Sequence, residues 1–103
     1  MSYKKAGQAN INASTTLTVG SNGIKIFFDP SFDINLTVDH LALTTNHENY
    51  FSNESIYPVT FVASSASSTL LVFYNGLVLN SGGTAYLIRK GTENKTFIYI
   101  SNP

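Results

Sequence analysis

From Gly23 to Leu43 the chain alternates apolar and polar residues with a period of two. In Phe32-Asp33-Ile34-Asn35-Leu36-Thr37-Val38-Asp39, Phe32, Ile34, Leu36 and Val38 fall on one face of a strand and the polar residues on the other. Ile24-Lys25-Ile26-Phe27-Phe28 repeats the rhythm, and Asp29-Pro30-Ser31 supplies a turn between the two runs. The spacing predicts an antiparallel strand pair with one buried and one wet face. After Val38 the parity slips by one residue at Asp39-His40, which predicts a β-bulge there with His40 turned inward.

The remaining runs are also strand-like. Ile11 to Val19 is rich in β-branched residues and ends at the turn Gly20-Ser21-Asn22-Gly23. Thr44 to Ser55 is polar around Tyr50-Phe51 and predicts a long loop. Ile56 to Val62 contains Pro58, which has no N–H for a ladder, so it belongs at an edge or a strand start. Ser64 to Ser68 predicts a flexible loop. Thr69 to Asn80, centred on Asn75-Gly76, predicts a hairpin with a type I′ turn. Thr84–Arg89 and Thr96–Ser101 close the chain around Gly91 to Lys95. No helical period competes. The expected fold is all-β, a single antiparallel β-sandwich of about eight strands, jelly-roll or immunoglobulin-like. Residues 1–10 read as a polar docking arm and 11–103 as the sandwich domain.

Composition narrows the function. The 103 residues carry 43% hydrophobic and only 12% charged side chains, with six basic and six acidic groups and no cysteine. Asn, Ser and Thr make up about a third of the chain, so amides and hydroxyls rather than ions solvate it. That composition suits a surface packed against copies of itself or a larger assembly, and equally a β-rich surface in a compositionally biased proteome. Lys4-Lys5 and Arg89-Lys90 are isolated pairs, so no nucleic-acid footprint is expected. A disulfide framework or thiolate metal site is excluded. No apolar run approaches the length of a bilayer span, and the N-terminus lacks the apolar stretch of a signal peptide, so assembly in a cytosol is expected.

Catalysis has little to stand on. No Gly-x-Ser-x-Gly elbow accompanies the serines, and only His40 and His47 offer a base. His40 reads as a hydrogen-bonded structural residue and His47 as a solvated loop residue. The spacing of Asp39, His40, His47 and Glu48 matches no zinc motif, and Asp29, Asp33 and Asp39 form no calcium loop. No pair of carboxylates stands out for glycoside hydrolysis. The glycosylation patterns beginning at Asn12, Asn35, Asn53 and Asn94 follow from composition. The chain is therefore expected to be no enzyme and to need no cofactor or metal. Phe28, Phe32, Phe73 and Phe97 are expected in the core, while Tyr50 and Phe51 stand in a polar loop either as interface anchors or folded back to cap one end of the sandwich, Phe51 more readily than Tyr50.

Tyr3-Lys4-x-x-Gly7-Gln8 with Thr15-Thr16, the segment Asn46 to Phe51 ahead of Ile56, and the Thr69–Leu79 hairpin followed by two closing strands together resemble small virion structural proteins of tailed bacteriophages, especially cyanophage-like ones. The closing strands depart from that pattern in being more basic and aromatic. The resemblance implies a non-enzymatic β-sandwich, present in many copies on the particle and binding other virion proteins. The expected localisation is the virion, assembled in the host cytoplasm, as a capsid decoration or a neck or tail appendage. The interface residues expected are Tyr3, Lys4, Lys5, Gln8, His47, Tyr50 and Phe51, with self-association, a trimer first. The alternative is a carbohydrate-binding or host-receptor-binding module, with a surface glycan held by the Asn-rich loops and Tyr50.

Overall fold

The computed structural model describes residues 8–65 and 68–103, the side chain of Val19 excepted. Its strands are β1 (Gln8–Ile11), β2 (Thr15–Thr16), β3 (Lys25–Phe28), β4 (Ile34–Val38), β5 (Glu48–Asn53), β6 (Val59–Ala63), β7 (Leu71–Tyr74), β8 (Val78–Leu79), β9 (Thr84–Lys90) and β10 (Lys95–Ser101). They form a six-stranded sheet in the order β1-β3-β5-β9-β10-β7 and a four-stranded sheet in the order β2-β4-β6-β8. The chain is all-β, as its period demands. It is not a single antiparallel sandwich, because both sheets are mixed and the chain coils between them as a β-solenoid.

Three coils define the solenoid. Strands β1, β3 and β5 stack in parallel in the larger sheet, and β2, β4 and β6 stack in parallel in the smaller. Lys25 pairs with Tyr50 and Ile34 with Val59, so the second and third coils share one offset of 25 residues in both sheets. The corners 29–33 and 54–58 are consequently equal in length. Antiparallel strands close the stack, β8 against β6 and β9 against β5, and β10 then pairs with β9.

Each departure from the expected sandwich has a local cause. Alternation fixes which face of a strand is buried but not which strand lies beside it. Strands β3 and β4 therefore do not pair with each other, and Asp29-Pro30-Ser31 carries the chain from one sheet to the other. At Asp39 no bulge forms. Instead His40–Ala42 makes a 3-10 turn, capped by the Asp39 carboxylate accepting from the Leu41 N–H at 3.1 Å. Asn75 and Gly76 do take positive φ, 68° and 95°, as a type I′ turn requires. The strands they join nevertheless enter different sheets, with β7 parallel to β10 and β8 beside β6. The polar stretch 44–55 is no loop. It contains β5, whose inward amides hide the hydrophobic alternation.

The core fills the space between the sheets. Ile26, Phe28 and Phe51 from the larger sheet meet Ile34, Leu36, Val38, Val59 and Phe61 from the smaller. Phe28 and Phe51, neighbours on adjacent coils, stack at 5.6 Å, and Phe61 meets each edge-on at 6.3 and 5.2 Å. Burying each of these rings contributes about 1.5–3 kcal/mol. Phe97 is buried too, but on the outer face of the larger sheet and not in this core, whereas Phe73 is half-buried at the core's margin and Phe32 stands 56% exposed at a corner.

Candidate functional site

The outer face of the six-stranded sheet carries one continuous row of side chains. Cross-strand registers align Gln8, Lys25, Tyr50, Tyr86, Tyr99 and Tyr74, one residue from each strand. Period two decides their direction. The neighbours of these residues along their strands, Ile26, Phe51, Ala85, Leu87, Ile98 and Ile100, are buried, so the row itself must face out.

The four tyrosines form a single aromatic stripe. Their ring centroids are 4.9, 6.2 and 4.8 Å apart from Tyr50 to Tyr74. Tyr74 and Tyr99 are nearly parallel, 3° apart. Parallel rings at that separation cannot lie side by side, so they overlap like tilted tiles. Tyr50 is turned 43° from Tyr86 and is 57% exposed.

Two further rows flank the stripe. On one side lie Asn10, Phe27, Ser52, Thr84 and Ser101 in register, mostly neutral hydrogen-bonding groups. On the other lie Glu48, Ile88, Phe97 and Val72. Lys90 covers Phe97 with its ammonium 4.8 Å from the ring centre, a cation–π contact. The Tyr86 hydroxyl donates to Glu48 Oε1 at 2.9 Å. Desolvation, then this hydrogen bond to Glu48 and its charge, push the Tyr86 phenol up to about 12.

The interface residues expected from the sequence separate in the fold. Tyr50 lies on the surface stripe, in β5 rather than in a loop, and Gln8 stands in β1 at the far end of the same row. Phe51 points inward and is 1% exposed. His47 is fully buried instead of solvated. Tyr3, Lys4 and Lys5 lie outside the described residues. Sequence reasoning missed Tyr86, Tyr99 and Tyr74. Their outward strand parity was readable, but their alignment depends on pairings between strands far apart in sequence.

Both histidines are built into the interior. His40 Nδ1 lies 2.8 Å from Thr96 Oγ1. Its Nε2 faces the Asn94 amide oxygen at 3.2 Å and the Arg89 Nε–H at 3.3 Å. The first is an acceptor and the second a donor, so the ring tautomer decides which is engaged. His47 Nε2 lies 2.7 Å from Asn49 Oδ1, while Nδ1 is buried without a partner. Desolvation holds the His47 pKa below its ordinary value, against the opposing Asn49 hydrogen bond.

Ser21 Oγ approaches His47 Nε2 at 3.5 Å, a part-buried pairing of hydroxyl and imidazole that suggests a nucleophile and a base. It does not work as one. Nε2 must carry a proton to bond the Asn49 oxygen, and Ser21 Oγ donates to the Thr18 carbonyl at 2.7 Å. Among the described residues no cluster of three or more His, Cys, Asp or Glu side chains is arranged to hold a metal ion. No family model, curated protein or solved structure matches the chain. The residues themselves therefore carry the functional reading.

Proposed function

We propose that the protein is a non-catalytic binding module that holds an extended, neutral polysaccharide along the tyrosine row. The observation that carries this reading is the alignment of Tyr50, Tyr86, Tyr99 and Tyr74 across four adjacent strands. A neutral sugar chain has apolar C–H surfaces and uncharged hydroxyls. The stripe offers aromatic carbon to the first, and the Asn, Ser and Thr row beside it offers donors and acceptors to the second. Contiguous aromatic surface of this kind marks binding faces rather than ordinary solvated sheet. A row continuous across four strands also favours an extended chain over a coiled one.

Affinity electrophoresis through gels containing hydroxyethylcellulose, glucomannan or xylan, with glycogen as the coiled control, tests the reading. At least one extended polysaccharide is expected to retard the protein. Tyr99→Ala should weaken that binding at least tenfold, because Tyr99 is a central ring of the row. Migration unchanged by all three extended polymers would remove the proposal.

A second reading is assembly with copies of the chain or other structural proteins, as in a virion component. It has one observation in its favour. Among the described residues β1 and β7 end the six-stranded sheet with one neighbour each, and an unpaired edge offers N–H and C=O groups to an added strand.

A further inference from the structure

The two ends of the tyrosine row differ. At Tyr74 it stops on the last strand of the sheet. At Tyr50 it runs into a groove of about 290 Å³ lined by Gly23, Ile24, Lys25, Glu48, Asn49 and Tyr50. We propose that this groove is the end subsite of the glycan face and holds the terminal hexose of the bound chain. The inference rests on the polysaccharide reading above and adds where the chain ends and what grips it.

Four features point to a hexose. The volume lies at the small end of ligand sites, the scale of one sugar ring rather than an oligomer. Gly23 lines the groove with φ at +80°, a conformation that favours glycine, and is held beside β5 by its N–H to the Glu48 carbonyl at 2.8 Å; a Cβ built there would meet nothing within 4 Å, so the space beside it is open. Tyr50 lines it too, 57% exposed and turned 43° from Tyr86, and the row continues past it with Lys25 and Gln8 rather than another tyrosine. Lys25 and Glu48 supply the polar contacts.

Those two residues suit vicinal hydroxyls. The ammonium donates, the carboxylate accepts, and charge-assisted bonds of this kind are about twice as strong as neutral ones. Glu48 is fixed through Oε1 by the Tyr86 hydroxyl, which leaves Oε2 to accept from the ligand. One positive and one negative group leave the groove without net charge. Neither an acidic nor a basic sugar is favoured over a neutral one.

Isothermal titration with cellohexaose and mannohexaose, and with the matching disaccharides, tests the assignment. Lys25→Met and Glu48→Gln alter exposed residues, and thermal melting verifies that each variant is folded. Each is expected to weaken the better hexasaccharide about tenfold, the value of one charge-assisted hydrogen bond. Disaccharide binding should disappear in both variants yet survive Tyr74→Ala at the other end of the row. If both variants bind like the wild type while Tyr99→Ala does not, the groove assignment is overturned and the polysaccharide reading stands. If the wild-type protein binds neither hexasaccharide and no polysaccharide, both fall together.

Discussion

His47 shows how a single side chain can reverse its expected role. In a run of polar residues it reads as solvated, yet the fold buries it completely against Asn49 and leaves Nδ1 without an acceptor. Protonating the ring would place a charge and an unpaired N–H in the interior, so burial lowers its pKa below 6.5. The unfolded chain then binds the proton more readily than the folded one. Stability from this residue is complete above pH 6.5 and is lost as pH falls from there through the folded-state pKa. Melting temperatures at pH 7.5 and pH 5 should differ more in the wild type than in His47→Gln. Equal pH slopes in the two proteins would contradict the account.

The corners set the scale of the elements, and amides hold them. Asn53, at the end of β5, donates to the carbonyls of Tyr57 and Leu79 and accepts from the Ser55 N–H and hydroxyl, at 2.8–3.0 Å throughout. Asn49, near its start, ties the carbonyls of Ser21 and Ile24 to the third coil. Both side chains are buried, so the Asn-rich composition is partly an interior feature rather than a surface one. Asn53→Ala would strand several buried groups, each costing about 1–3 kcal/mol. Asn75→Ala should cost less, about 2 kcal/mol, from the lost bond to the Ile100 carbonyl and the strain of alanine at φ 68°. Urea unfolding midpoints should therefore fall much further for Asn53→Ala. The opposite order would show that the buried amide clamp is not what holds that corner.

At the scale of the whole molecule, the ends of the six-stranded sheet at β1 and β7 are the surfaces on which assembly would act. Under the assembly reading, light scattering should show a mass that rises with concentration as strands add at β1 or β7. A constant mass of one chain from micromolar to millimolar concentration would exclude self-association through these edges. The sequence by itself determined that the chain is all-β and, for residues within its strands, which side faces the core. Ile34, Leu36 and Val38 are buried as their period demands, and His40 is an inward, hydrogen-bonded residue as its parity implies. The 25-residue offset between the second and third coils was also present in the chain, but it is muted because Phe28 in one coil is matched by Asn53 in the other. Tertiary structure alone decided that these strands coil in parallel, and that four tyrosines from β5, β7, β9 and β10 stand in one line. The reason is that a period of two is a property of each strand alone, whereas alignment across a sheet depends on partners whose identity no local pattern encodes.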